Sequence, residues 1–384
     1  MSTETPESDL LLPKSLSDHL SPGRSPAVAA RVGIALGLAI AVCFGTGVLS
    51  HWIQHPPSWF WWPAHPVWLY RLTQGAHVIS GVVAIPLLLV KLWSVFPRLF
   101  ARPLLGNPIR MLERGSIAVL VGSVFFQLVT GLFNTAQLYL WRFFFPAAHY
   151  AMAYVAFGAL AVHLAVKLPV IRTALSRPLA AEPPRAHAIS RRLVLGAAAA
   201  AAGVAGLAIA GQTVTPLRRL SVLAPRSGAG PQGLPVNRTA AAAGVTERVR
   251  DAAYRLTVTV GDRTRAFTRA ELAALPQTTS ILPIACVEGW SATAEWTGVR
   301  VRDLLAAVGE YPGGDLRFGS LEQAGLYGRS VLPQTHVLDD STLVALRLNG
   351  ADLDIDHGYP CRLIAPSRPG VLQTKWLSTI EVRA

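Results

Sequence analysis

Cysteine is nearly missing from this chain: its 384 residues contain three, Cys43 inside an apolar run and Cys286 and Cys361 far downstream. So few thiols offer no disulfide framework, and they leave the redox compartment unassigned. The one G-x-G-x-x-G match, Gly228 to Gly233, lies in a Pro-, Gly- and Ala-rich stretch rather than between a strand and a helix, and no phosphate-loop sequence occurs, so the ordinary signatures of a bound nucleotide are missing. Lysine is equally sparse towards the end, where Lys375 is the only one in the last two hundred residues. Acidic residues are scarce in one region only. Through residue 245, 20 Lys+Arg face 6 acids, whereas beyond it 15 face 16. The net charge of +13 therefore belongs to the first part, where apolar runs lie between basic loops. That pattern fits membrane topology and excludes nucleic acid as the expected partner.

What is present divides the chain. Residues 1–26 are polar, rich in Ser and Pro, and read as a disordered cytoplasmic tail. Four apolar segments follow near 30–50, 72–95, 115–136 and 148–169, and a fifth covers about 193–214. Each is long enough to cross about 30 Å of hydrocarbon as a helix. Lys14, Arg24 and Arg31 precede the first segment, and Lys91, Arg98, Arg102, Arg110 and Arg114 follow the second. Lys167, Arg172, Arg177, Arg185, Arg191 and Arg192 follow the fourth, while the intervening connections hold only Arg71 and Arg142. Positive residues stay in the cytoplasm, so the N-terminus is expected inside and the C-terminal region outside the bilayer. Ser190-Arg191-Arg192-Leu193-Val194-Leu195 opens the fifth segment. It reads either as a twin-arginine export signal, which would place the chain in a bacterial inner membrane, or as a plain positive-inside anchor.

The resulting expectation is an all-α transmembrane bundle of four helices over 27–172, then a fifth anchor helix over 190–214. A Pro-, Gly- and Ala-rich linker over 215–234 leads to an α+β domain over 235–384. There, Tyr254–Val260 alternates as a strand does, and Thr268-x-x-Glu271 forms a capping box before a short helix. Further strands are expected over 278–286, 342–348, 361–365 and 376–382, with a helix over 301–308 and a turn at Asn349-Gly350. Asp352-Leu-Asp354-Ile-Asp356 lacks the glycine and glutamate of a calcium loop, and its alternation predicts an exposed strand edge.

Histidine inside a span is costly and usually faces a partner or cofactor. His77 lies near the outer end of the second span, and His149 near the outer end of the fourth. His163 is 14 residues further on, hence on the same face about 21 Å away. In the second span the position matching His163 is Lys91. Gly75 and Gly81 beside His77 offer room for a flat ring. His51, His55 and His65 stand among Trp52, Trp59, Trp61 and Trp62 and read as an interfacial belt without a ligand role. On histidine placement and topology, residues 30–170 resemble membrane b-type cytochromes with a four-helix core that serve as quinone-linked subunits. The resemblance implies one haem b held by His77 and His149, and leaves open a second using His163.

The densest chemistry lies near the C-terminus. Cys286 in ACVEGW is followed by His357-Gly-Tyr-Pro-Cys-Arg362 and by Lys375-Trp376. A thiolate suits a soft or high-valent metal, and a guanidinium fork with an ammonium suits a phosphate. Together with W-x-G-V-x-V-R-D-L-L from Trp296 to Leu305, these residues resemble the molybdopterin domain of the sulfite oxidase family. The resemblance covers about 235–384. It implies that Cys286 is the protein thiolate on molybdenum, and that Asn237, His357, Arg362 and Lys375 contact the pterin and its phosphate. It also makes Tyr327-Gly-Arg-Ser330 an active-site loop in which Arg329 attracts an anionic substrate. Glu288 and Glu295 near Cys286 are read as local caps or pairs. The dimerisation domain that follows in sulfite oxidases has no counterpart here, and C-x-x-C-H is absent, so electrons must pass through another group. The whole implies a membrane-anchored molybdenum oxidoreductase. It would catalyse two-electron oxygen-atom transfer on a small molecule outside the bilayer, exchanging electrons through haem with membrane quinone or another carrier. The alternatives are a reductase of S-oxides or N-oxides, and a non-catalytic protein whose outer domain only binds a ligand.

Overall fold

The computed structural model describes residues 22–99, 108–138, 140–176, 189–224, 230–323, 325 and 328–382. Of the features read above, residues 1–21 of the tail, Lys14, Arg102, Arg177, Arg185, the middle of the linker at 225–229 and Tyr327 lie outside that set. The chain divides into two compact units, one from residues 1–48 and 76–209, the other from 49–75 and 210–384.

The helical unit is built on α1 (Pro26–Gln54), α2 (Leu69–Leu99), α3 (Pro108–Ala136), α4 (Phe145–Ser176) and α5 (Arg191–Ala210). All five are long and apolar enough to cross a membrane. The interior joins Val28, Val32 and Leu36 of α1 to Ala84 and Leu88 of α2, Val124 of α3, Ala156 of α4 and Ala198 of α5. Alanines at these contacts let backbones approach closely. The outer surface is just as apolar, with Leu38, Leu89, Val170 and Val204 exposed. A helix that is apolar all round wants an apolar solvent. Hydroxyls in these helices bond their own turn, Thr46 to Val42 O at 2.6 Å and Thr130 to Phe126 O at 2.6 Å. The tail expectation fails at its end, because Pro22–Arg24 forms a 3-10 turn leading into α1 at Pro26.

Beyond residue 245 the described residues of the sheet unit form α6 (Thr246–Arg250) and ten strands. In chain order these are β1 (Leu256–Val260), β2 (Arg263–Phe267), β3 (Thr278–Ala285), β4 (Ser291–Arg300), β5 (Leu316–Ser320), β6 (Arg329–Leu332), β7 (Leu343–Leu348), β8 (Ala351–Asp352), β9 (Arg362–Ile364) and β10 (Leu377–Val382). Three short helices intervene, α7 (Arg269–Ala274), α8 (Val301–Ala306) and α9 (Gln334–Val337). One sheet has the order β2-β1-β10-β5-β6, with β1 and β10 parallel. The other runs β3-β4-β7-β8, with β9 also paired to β7.

Strand β7 shows how the core is divided. Val344 and Leu346 enter the cluster shared with β1, β5 and β10, while Leu343, Ala345 and Leu348 enter a second cluster with Trp296 and Cys286. Alternation over 343–346 thus buries both faces of one strand, and the register shift opposite Gly298 breaks the period so that Leu348 joins the second cluster. The capping box is formed, Thr268 Oγ1 accepting from Glu271 N at 3.0 Å and Glu271 Oε2 from Thr268 N at 2.8 Å. Asn349 (φ 49°) and Gly350 (φ 79°) make the two-residue turn between β7 and β8. At Gly298, where β4 shifts register against β7, an added Cβ would stand 2.1 Å from Val344 O.

Four differences from the sequence reading have physical causes. The edge strand β2 was not anticipated, because Arg263, Thr264, Arg265 and Ala266 face solvent and give no apolar alternation. The aspartate run is a strand only through Asp352. Leu353 is then buried, Asp354 caps a 3-10 turn, and Asp356 Oδ1 accepts from Ala240 N at 2.7 Å. The expected linker is tied down at its end, where the Gln232 amide donates to Leu348 O and Asp352 O and accepts from Asp354 N. Residues 49–75, expected within the helix bundle, belong to the sheet unit. In the tryptophan-rich segment Trp59 and Trp61 are exposed, but Trp62 Nε1 donates to Ser367 O at 2.7 Å, and His65 pairs with Asp339 at 2.7 Å.

Candidate active site

Strand β3 delivers Cys286 into a tight loop, closed by Cys286 N to Trp290 O at 2.8 Å and Gly289 N to Cys286 O at 3.0 Å. The thiol is buried and lies on the wall of a cavity also lined by Asn237, Arg238, Glu322, Asp356, His357, Arg362, Gln373 and Lys375. Residues spread over most of the sheet unit's sequence thus meet around one space. Arg238, Glu322 and Gln373 were not singled out from the sequence, since no local pattern marks them.

The cations are held by backbone carbonyls. Arg362 opens β9 and donates to His357 O at 2.9 Å and Gln373 O at 3.1 Å, with its guanidinium 5.1 Å above Trp296. Lys375 Nζ donates to Asp356 O at 3.0 Å and Arg238 O at 2.5 Å. The His357 ring donates from Nε2 to Pro231 O at 2.7 Å, because a carbonyl can only accept. Gly358 lets these three converge. Its φ is 111°, and a Cβ there would stand 3.1 Å from Arg362 Cβ and 3.2 Å from Lys375 Cβ. Arg238 is paired with Glu322 at 2.6 Å.

Burial sets the electrostatics. It pushes the Arg362 guanidinium down to about 9 and, with the neighbouring Arg362 charge, the Lys375 ammonium down to about 7. His357 is also lowered by burial. The Cys286 thiol is raised, first by burial and then by the Glu288 carboxylate. Such a wall favours an anionic occupant that stabilises the cations, while a metal held by Cys286 would have to displace the thiol proton. Gln373 Oε1 is a buried acceptor with no partner among the described residues, a place for a ring N–H. The donor set therefore fits a pterin-phosphate cofactor carrying a soft metal.

Of the other expected residues, Glu288 sits against the Cys286 thiol, while Arg329 and Glu295 are not among the cavity-lining residues. Arg329 is exposed at the first position of β6. Glu288 accepts from Trp290 Nε1 at 3.2 Å, a local pairing. Glu295 meets Asn349 through its backbone, its N donating to Asn349 Oδ1 at 3.1 Å and its O accepting from Asn349 N at 2.8 Å.

The helical unit brings His77 and His149 together, with ring centroids 6.3 Å apart and planes at 68°. His77 Nδ1 lies 3.0 Å from Cys43 O, so Nδ1 carries the proton and Nε2 keeps its lone pair. His149 Nδ1 lies 3.2 Å from Thr130 Oγ1, whose own proton goes to Phe126 O, so the same tautomer holds. Such Nδ1 anchoring is what metal-ligating histidines show, so both rings keep an Nε2 lone pair that would suit a haem iron. The glycines beside the rings are not the expected ones. Gly47 faces His77 Cε1 at 3.1 Å and Gly131 faces His149 Cε1 at 3.6 Å, measured from an added Cβ. Gly75 instead admits Thr213, and Gly81 meets Cys43. His163 has Lys91, Lys167 and Glu113 as its charged neighbours, which provide no second imidazole.

Comparison with known proteins agrees with the molybdopterin-domain reading. Residues 242–384 match the family model described as oxidoreductase molybdopterin binding domain. The "Putative protein-methionine-sulfoxide reductase subunit YedZ1" of Azospira oryzae is 33% identical over 133 residues, covering 34% of this chain and 49% of that protein. Nitrate reductase [NADH] of Ulva prolifera is 30% identical over 174 residues, covering 36% of this chain and 20% of that enzyme. Human mitochondrial sulfite oxidase is 32% identical over 103 residues, covering 25% and 19%. The chain thus spans half or less of the length of these relatives. Residues 242–384 are a sulfite oxidase-like, molybdopterin-binding oxidoreductase domain.

Proposed function

We propose that the protein is a membrane-anchored molybdenum oxidoreductase that transfers an oxygen atom in a two-electron reaction on the outer side of a bacterial inner membrane. The observation carrying this reading is the meeting of Cys286 with Asn237, His357, Arg362 and Lys375 on one cavity wall. Cys286 would hold the metal as thiolate. Arg362 and Lys375 would hold the phosphate, His357 and Asn237 would orient the pterin, and the buried wall would exclude water. When bound, the cofactor supplies the two-electron couple and the site of oxygen transfer. His77 and His149 would hold one haem b that exchanges electrons with membrane quinone. The basic residues flanking the apolar helices support an N-terminus inside, and Arg191-Arg192 support export by the twin-arginine route.

The wall favours the reductive direction with a neutral S-oxide or N-oxide. Arg238 is neutralised by Glu322, Arg362 and Lys375 are assigned to the phosphate, and Arg329 lies elsewhere. An anion such as sulfite finds no spare cation among the described lining residues, while a neutral oxide needs none. The name of the Azospira relative points the same way. The reaction balances as one S-oxide, two electrons and two protons giving one sulfide and one water, and a quinol supplies both electrons and protons. Elemental analysis of purified protein should find both molybdenum and iron, and absence of molybdenum overturns the reading. Turnover of methionine sulfoxide with a reduced dye should exceed turnover of sulfite with an acceptor, and the reverse ratio reverses the direction.

A further inference from the structure

The segment Leu49–Gly75 grips the loop that carries Cys286 from both sides. Gln74 is buried on the first turns of α2, and its Nε2 donates to Val287 O at 3.1 Å. Tyr70, one turn earlier and 1% exposed, packs with Ile53 against Ala285. Ala285 and Val287 are the two chain neighbours of Cys286. Trp62 adds a third hold through Ser367, at 2.7 Å to its carbonyl and 3.0 Å to its hydroxyl. Two residues on, Pro369 bridges Ala285. A buried amide bonded to one flank of a cysteine and a buried aromatic residue packed against the other exceed what attachment of a connector needs, since Arg71 to Thr293 and Thr215, and His65 to Asp339, already supply that.

We infer that Gln74 is a positioning residue for the Cys286 sulfur, with Tyr70 and Trp62 completing a clamp that fixes the cysteine loop. The role assigned to the sulfur rests on the molybdenum reading above, while the clamp itself does not. Partners of this kind orient a metal ligand without touching the metal, and losing one typically costs about 10- to 100-fold in affinity or activity.

The test uses full-length protein carrying Gln74→Leu and, separately, Trp62→Phe, which removes only the indole donor. Amide hydrogen exchange over 285–291 should accelerate by about 10-fold or more in Gln74→Leu, with other sheet-unit amides unchanged. The Mo(V) electron paramagnetic resonance signal should shift or broaden, and kcat should fall about 10-fold with KM within about 2-fold. Trp62→Phe should move the same readouts less, and it serves alone if Gln74→Leu does not fold. Unchanged exchange in both variants overturns the clamp. Accelerated exchange with an unchanged Mo(V) signal and kcat overturns the positioning role. Wild-type protein without molybdenum refutes the reading beneath and removes the positioning role with it, while exchange still decides the clamp.

Discussion

In the helical unit, His77 and His149 each occupy a regular place on a long helix, and two helices suffice to bring the rings to 6.3 Å. In the sheet unit, Asn237, Cys286, His357, Arg362 and Lys375 come from separate loops and strand ends, and the whole double sheet is needed to assemble them. The polar anchors differ in the same way. Each imidazole of the pair is held from a neighbouring helix, His77 by Cys43 O of α1 and His149 by Thr130 of α3. The cations of the cavity are held by carbonyls of residues such as Arg238 and Gln373, distant in sequence or on another loop. A site built from helical periodicity tolerates change elsewhere. A site built from long-range pairing depends on every strand that carries it.

The comparison breaks most sharply if the two centres are not independent. Cys286→Ser should lower oxide turnover by about 1000-fold or more while leaving the haem absorption spectrum and the circular dichroism intact. Loss of the haem band in that variant would show one centre rather than two. Conversely, His77→Ala or His149→Ala should erase the reduced-haem band and keep the molybdenum content, whereas His163→Ala should retain the band. The dependence on strand pairing is probed by Gly298→Ala, whose Cβ would meet Val344 O at 2.1 Å. It should destabilise the sheet unit by more than about 3 kcal/mol in denaturant unfolding, with the haem band retained.

A smaller effect follows from pH. Lys375 sits near 7 in the folded chain against an ordinary value of 10.5. Between these values the unfolded chain keeps the proton and the folded chain does not, so raising the pH stabilises the fold. Protein produced without molybdenum should therefore show a melting temperature that rises from pH 7 towards pH 10, and Lys375→Met should flatten the rise. The smallest effect is local. Thr268→Ala removes the capping box of α7 and should cost about 1 kcal/mol, measured by thermal unfolding of the sheet unit.

Apolar run length made the five long helices legible in advance, because a bilayer-length stretch needs no tertiary partner to declare itself. The capping box at Thr268 and the turn at Asn349-Gly350 were legible for the same reason, being settled within four residues. The β2 strand was not, since an edge strand of arginines and threonine carries no burial pattern. Arg329 was placed near the chemistry by its likeness to a family loop, and in the structure it stands exposed at the start of β6 and is not among the described cavity-lining residues.

The sequence by itself determined the apolar helices, the basic residues around them, the histidine spacing along α4 and the identity of the one thiol that meets the cations. Tertiary structure alone decided that Arg238 is cancelled by Glu322, that Gly47 and Gly131 rather than Gly75 and Gly81 border the imidazoles, and that Leu49–Gly75 packs around the cysteine loop. The physical reason is range. Periodicity, hydropathy and capping act within a few turns of chain, whereas charge cancellation, close backbone approach and carbonyl anchoring join groups that no local pattern connects.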